Sequence, residues 1–426
     1  MLAPSVRGGA SLVRAACRRP PVTRHSRAPL VLLSALLAAA CHSPVDDPGS
    51  TVPGTCQSAP PLIAPQKTDI LFVIDNSGSM AEEQAGIATE LPAFLEAIKE
   101  GSGVAQDFRV GVITTSVYQR HILKSGQDVV RQYPDQSGRL QAVPDAAGNP
   151  TDERFIDGTD SFVVEKFRRL VKQGTEGSGQ ETPFEAVRLA VSSPLSTTSI
   201  AQGGNGGFLR DGARLLVVVV TDEEDCSSTV RPPPVALRDD ASRDFCHEQE
   251  NLLTSVEDYY AIFQGLHDGT GASREVLWAT IGPVALSDKR AELVQDSTPQ
   301  GPVVRNADCP TSYGPGYRQR AMAEKFDRKL VNLDSICKSN YRDTLIGIAA
   351  LATVGQSLDV MNLPDARLAR VELTREDGSV QVCSVAGGEL RYEPSGEGRP
   401  ARLYFLGGCL RRVGDTRVDV KLLCAG

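Results

Sequence analysis

Thr68-Asp69-Ile70-Leu71-Phe72-Val73-Ile74-Asp75-Asn76-Ser77-Gly78-Ser79-Met80 is the stretch whose reading decides the fold. Residues 70–74 form a short continuous apolar run, the pattern of a strand buried on both faces of a sheet. The polar loop after it sets Asp75, Ser77 and Ser79 on alternate positions. In a tight loop leaving a strand, alternate side chains point the same way, so one carboxylate and two hydroxyls converge. Hard oxygens of this kind suit Mg2+, which is held by few protein ligands and tends to keep waters. Taken alone, the pattern is equally that of a loop in which Ser79 caps the next helix.

Outward from this stretch the chain alternates. Ile87, Leu91, Phe94, Leu95 and Ile98 follow at helical spacing, with Pro92 expected to kink or restart the helix. Residues 110–113 predict a second strand, and a polar, Gly-rich stretch at about 116–160 then interrupts the alternation. Helices are expected at 162–171 and 184–191. The strongest strand, 215–220, runs into Thr221-Asp222-Glu223-Glu224-Asp225. A further amphipathic helix (Leu252, Val256, Tyr259, Phe263, Leu266), a strand at 276–281 and an apolar helix at 341–354 complete the pattern. Strands alternating with helices predict an α/β fold, a central, mostly parallel sheet covered on both sides. Ligand sites of such sheets lie at the carboxyl ends of the strands, where Asp75 and Asp222 both fall. After about Gln356 the helical pattern stops. Short strands at 370–373, 380–383, 402–405 and 417–423 predict a small antiparallel β module over 356–426.

The first forty residues read as an address. They hold six arginines and no acid, followed by an apolar run at 30–40 that suits a signal peptide and is too short to cross a bilayer as a helix. Leu37-Ala38-Ala39-Ala40-Cys41 resembles a bacterial lipobox, in which Cys41 becomes the lipidated first residue, although Leu37 stands one place further from the Cys than usual. A plain signal peptide cut near Ala40 is the other reading. Residues 42–67 are Pro-rich without a hydrophobic period, as expected of an extended tether. Lipid would then be the only membrane attachment, to the cell envelope and, in this reading, its outer membrane.

The cysteines agree with export. Cys56, Cys226, Cys246, Cys309, Cys337, Cys383, Cys409 and Cys424 form an even set without a CxxC pair, which reads as disulfides rather than zinc. Cys226 with Cys246 and Cys309 with Cys337 are natural local pairs by spacing; the other pairing stays open. The chain is 41% hydrophobic and 23% charged with net charge −8, and removing the basic leader makes the remainder more acidic still. An acidic body argues against nucleic acid as partner and is compatible with divalent cations. Among the four histidines after the leader (His42, His121, His247, His267) there is no HExxH spacing, and the sequence holds neither a GxSxG elbow nor a P-loop, so no enzyme activity is expected.

Residues 68–80 resemble the first strand and metal loop of von Willebrand factor A domains, the family that includes integrin I domains, and the resemblance extends over 68–355. It implies a Rossmann-like domain with a metal-ion-dependent adhesion site. Ser77 and Ser79 would bind the metal directly and Asp75 and Asp222 through water, leaving one position for an acidic group of the partner. The family's third loop usually supplies Thr. Here it reads Gly177-Ser178-Gly179-Gln180-Glu181-Thr182-Pro183, which puts Glu181 at the ligand position with Thr182 as the alternative. Glu82 and Glu83 fall where integrin β domains place an adjacent, often Ca2+-binding site; they also read as acids of the first helical turn. Glu223, Glu224 and Asp225 read as a solvated loop tied at Cys226. The wider cysteine pattern resembles A-domain lipoproteins of myxobacteria. The expectation is therefore an envelope lipoprotein that binds a protein or glycan carboxylate through Mg2+ (or Mn2+ or Ca2+). The alternative is a scaffold of the envelope whose metal is structural.

Overall fold

The computed structural model describes residues 63–64, 66–100, 106–396, 400–412 and 415–423. The leader, Cys41, Cys56 and Cys424 lie outside them. The first strand, β1 (Gln66–Ile74), is buried along almost its whole length, as its apolar run requires. It leads through the Asp75–Met80 loop into α1 (Ala81–Glu100), which runs as one helix through Pro92. Next come β2 (Gln106–Thr114), a hairpin of β3 (Tyr118–Ile122) and β4 (Asp128–Gln132), and a short β5 (Phe155–Asp157). The remaining elements of the α/β part are α2 (Val163–Leu170), α3 (Pro183–Val191), β6 (Arg214–Val220), α4 (Phe245–Glu248), α5 (Val256–Gln264), β7 (Val276–Gly282), the hairpin β8 (Leu293–Thr298) and β9 (Gly301–Asn306), α6 (Tyr317–Phe326), β10 (Leu333–Ser335) and α7 (Arg342–Thr353).

The central sheet has six strands in the order β10-β7-β6-β1-β2-β5. All its pairings are parallel except that of β5 on β2. Alternate residues of β1 face opposite layers. Ile70, Phe72 and Ile74 pack with α1, α2 and α7, where Phe94 and Phe167 meet the Phe72 ring edge-on at 5.5 and 5.1 Å. Leu71 and Val73 pack with α3, α5 and α6, around the buried Trp278. The mixed α/β fold with a mostly parallel central sheet is thus the expected one.

The 116–160 stretch is not a mere interruption: it contributes the β3–β4 hairpin and the antiparallel edge strand β5. The β8–β9 hairpin, α6 and β10 also lay beyond the local pattern. Tyr118–Ile122 and Tyr317–Phe326 are mostly polar in sequence, and α6 nevertheless buries Arg318 and Gln319.

The C-terminal strands β11 (Ser357–Val360), β12 (Ala369–Thr374), β13 (Val380–Ser384), β14 (Leu390–Glu393), β15 (Ala401–Phe405) and β16 (Arg417–Leu422) build two three-stranded antiparallel sheets, β11-β15-β14 and β13-β12-β16, around a core of their own. This module joins the amino ends of the central strands. Gln66 Oε1 accepts from the Asp359 amide at 2.8 Å, and Arg402 Nη2 donates to Gly212 O at 2.7 Å just before β6. Gln66 and Lys67, expected at the end of the tether, are already strand, because the Gln66 amide is buried against β11. Disulfides join Cys226 to Cys246 and Cys309 to Cys337, the pairs their spacing suggests, and Cys383 to Cys409 inside the module.

Candidate metal centre

Register brings the site together. Ile74 of β1 pairs with Val220 of β6 on one side and with Thr114 of β2 on the other, so the three strands end level. Asp75, Thr115 and Thr221 therefore leave the sheet side by side. The Asp75 amide extends the ladder to Val220 O at 2.9 Å. Its carboxylate is buried and fixed from two sides: Oδ1 accepts from the Ser77 amide at 2.8 Å and Oδ2 from the Thr221 hydroxyl at 2.6 Å. Beyond it runs a ladder of oxygens. Ser77 Oγ lies 3.1 Å from Ser79 Oγ, and Ser79 Oγ donates to Asp222 Oδ1 at 3.1 Å. Two loops far apart in sequence thus meet at one point.

The third loop closes from β2. Thr115 donates its hydroxyl to Glu181 Oε2, and the Cys226 amide donates to Glu181 O at 2.7 Å, which ties this loop to the one after β6. Thr182 has a different task. Its hydroxyl donates to Thr115 O at 2.6 Å, just before Pro183 opens α3. The loop is held further by Asn76, which accepts from Ser116 Oγ at 2.8 Å and receives the Gly177 amide on its own carbonyl at 2.8 Å. A Cβ on Gly177 would stand 2.2 Å from Asn76 Oδ1, so only glycine allows this approach. Gln84 of α1 donates to Asp75 O at 2.8 Å. Asn76, Gln84, Thr115, Ser116 and Thr221 were missed from the sequence; the polar run Thr114-Thr115-Ser116 directly after an apolar strand was the available signal.

The charges at this point are uncompensated. Burial, and next the neighbouring Asp75, push the carboxyls of Glu181, Asp222 and Glu223 well above the usual carboxylate range. Asp75 is raised by burial against its hydrogen bonds, and Glu83 by burial and by Glu82 and Asp75. Among the described residues, no base forms an ion pair with any of these acids. Three of their buried oxygens, Asp222 Oδ2, Glu181 Oε1 and Glu83 Oε2, have no hydrogen-bond partner. Buried acids elsewhere are treated differently: Asp69 has Arg210 at 2.7 Å and Asp225 has Arg318 at 2.8 Å. No cluster of three or more His, Cys, Asp or Glu side chains able to hold a metal occurs among the described residues. The oxygens linked here by hydrogen bonds are the Ser77 and Ser79 hydroxyls and Asp222 Oδ1, with Asp75 bound to the Ser77 amide.

One expectation changes. Glu224 and Asp225 are not a solvated loop; both are buried. Glu224 accepts from the Tyr317 and Arg318 amides at 2.8 and 3.0 Å and so closes the first turn of α6, while Asp225 takes the Arg318 guanidinium and the Ser227 hydroxyl. The partners in α6 stand some ninety residues away in sequence, out of reach of a local reading. Glu82 is exposed and Glu83 half-buried, both in the first turn of α1.

No protein-family model and no curated protein matches the chain. Among solved structures, the proximal thread matrix protein of the mussel byssus is similar at 13% identity with a TM-score of 0.29, over 71% of this chain and 51% of that one. The pilus adhesin SpaC from Lactobacillus rhamnosus GG, in its open conformation, gives 13% and 0.29 over 84% of this chain and 38% of its own. The pilus adhesin RrgA from Streptococcus pneumoniae gives 11% and 0.23 over 84% and 57%. The chain spans about half the length of the mussel and pneumococcal proteins and just over a third of SpaC.

Proposed function

We propose that the loops after β1 and β6 and the loop before α3 hold a divalent cation, Mg2+ or Mn2+ before Ca2+, and that the protein uses it to bind a carboxylate of a protein or glycan partner. The observation that carries this reading is the set of buried, unpartnered carboxylate oxygens on Asp222, which holds the Ser79 hydroxyl, and on Glu181, with no ion-paired base among the described residues to neutralise them. Hard oxygens and excess negative charge are what such a cation requires. Asp75, Ser77, Ser79, Asp222 and Glu181 would be its holders. Glu181 is favoured over Thr182 by its free oxygen, since the Thr182 hydroxyl proton is committed to Thr115 O. When bound, the ion would supply a positive centre to which a partner's carboxylate adds.

In this reading the chain is a von Willebrand factor A-type lipoprotein of the bacterial envelope that acts by binding rather than catalysis. The disulfides fit a chain folded outside the reducing cytosol. The chain enters β1 from the end of the sheet opposite the metal loops.

The test is a titration of the mature chain with Mn2+ and Mg2+, read by calorimetry and by thermal unfolding. Saturable binding that is lost in Asp75→Asn and Ser79→Ala supports the site, and no binding removes it. Capture from envelope extracts with and without EDTA then separates the two roles. Metal-dependent partners support adhesion; a bound metal with only EDTA-insensitive partners leaves a structural ion in a scaffold.

A further inference from the structure

At the amino ends of the strands, away from the metal loops, the α/β part and the C-terminal module border a cleft of about 620 Å3, a size typical of small-molecule sites. One wall is apolar. Trp278 and Phe326 stack there with ring centres 5.7 Å apart, beside Leu351 and Val354 at the end of α7. The module contributes Arg411, and Lys329 stands at the same cleft. Arg411 is only 3% exposed, and none of its three guanidinium nitrogens has a partner.

The Phe405 ring centre lies 5.9 Å from its guanidinium carbon, and no carboxylate touches it. The next guanidinium, Arg214, is buried too and bonds only to neutral acceptors: Ala352 O at 3.1 Å, Gln66 Oε1 at 3.2 Å and Ser357 O at 3.4 Å. The acids whose charge reaches it, Asp415 and Glu275, make no contact with it. Asp415 pairs with Arg375 at 2.9 Å, and Glu275 accepts from the Gln356 amide and the Ser357 hydroxyl at 2.8 Å each. Burial, and then the charge of Arg214, push the Arg411 guanidinium down to about 10. Two other buried arginines do hold a carboxylate: Arg318 has Asp225 at 2.8 Å and Arg375 has Asp415 at 2.9 Å. A buried cation without a contacting counter-charge is unfavourable unless something supplies one, and an arginine fork can pair bidentately with a carboxylate.

We propose that this cleft binds a single-chain aliphatic carboxylate, its carboxylate pairing with Arg411 and its chain lying on Trp278, Phe326 and Val354. The site is independent of the metal centre and of the function proposed for it.

Trp278 is the only tryptophan of the chain, so its emission reports on the cleft. The mature protein is titrated with decanoate, decanol and acetate, each below any micelle-forming concentration. Decanoate should change the emission saturably and bind at least tenfold more tightly than decanol, while acetate should have no effect. Arg411→Met should reduce the decanoate affinity to that of decanol and leave the decanol response in place. The proposal is overturned by an absent decanoate response, by decanol binding as tightly as decanoate, or by an Arg411→Met protein that keeps the decanoate affinity. Should that variant not fold, the decanoate-to-decanol ratio on the unaltered protein decides alone.

Discussion

Asp222 shows in one side chain what the site costs and what it offers. One of its oxygens takes the Ser79 hydroxyl and the other is buried without a partner, facing the charge of Asp75. Without metal, Asp222→Asn should therefore stabilise the protein by about 1–3 kcal/mol, the range for relieving an unsatisfied buried group. The same variant should lose the rise in melting temperature that Mn2+ gives the parent, which at a hundredfold excess over Kd corresponds to about 2.7 kcal/mol. Thermal unfolding with and without Mn2+ reads both effects, and a variant that is less stable without metal yet keeps the shift would contradict the assignment. Asp244 gives a second prediction at this scale. Burial pushes its carboxyl from 3.8 up to about 6, although Oδ1 accepts the His247 amide at 2.9 Å. Between those values the folded chain retains a proton that the unfolded chain has released, so stability falls as pH rises through the window. Asp244→Asn should remove up to about 3 kcal/mol of that fall, measured as the difference between the two proteins' denaturation midpoints from pH 4 to pH 7. The meeting of Asp75, Ser77, Ser79 and Asp222 at the strand ends was legible because each sits within a few residues of an apolar strand. Glu224 and Asp225 were not, since what decides their state is Arg318 and the start of α6, distant in sequence.

At the scale of elements, α6 makes the same point. Its sequence, Tyr317–Phe326, has neither a strong apolar stripe nor a side-chain cap of its own. It is fixed instead by Glu224 at its first amides and by Arg318, which reaches Asp225 at 2.8 Å and Thr254 O at 2.8 Å. Both partners of the Arg318–Asp225 pair are almost wholly buried. Arg318→Met leaves Asp225 as an uncompensated buried charge and should cost about 3–5 kcal/mol, seen as a lower denaturant midpoint. The double variant with Asp225→Leu should recover much of that loss, because it removes the stranded charge. If the single variant costs under 1 kcal/mol, the pair does not fix the helix. Strands such as β1 and β6 announce themselves by unbroken apolar runs, since both their faces are covered. The β3–β4 and β8–β9 hairpins pair mainly with themselves at the surface, so nothing in their burial forces a pattern on the sequence.

Across the whole molecule, the two proposed sites stand at opposite ends of the central strands, and the C-terminal module belongs to one of them. It has its own core, is closed by Cys383–Cys409, and meets the α/β part through Gln66, Gly212 and Glu275 at the amino ends of β1, β6 and β7. The boundary near Gln356 was readable from the loss of helical spacing. The use of Gln66 was not, because its partner Asp359 lies 293 residues on. This separation makes a prediction about coupling. Replacing Cys383 and Cys409 together by serine opens a loop of 26 residues and should cost about 3 kcal/mol. That loss should appear as earlier unfolding of the module, followed by hydrogen exchange in β12, β13 and β15. Metal binding at Asp75 and Asp222 should keep the parent's affinity within a factor of two, since no residue of the module reaches those loops among the described contacts. Decanoate binding should weaken, because Arg411 follows Cys409 closely and is held by the same turn. A variant whose metal affinity fell along with its decanoate affinity would show the two ends to be linked through the sheet, and the module would then be part of the binding device rather than a separate floor beneath it.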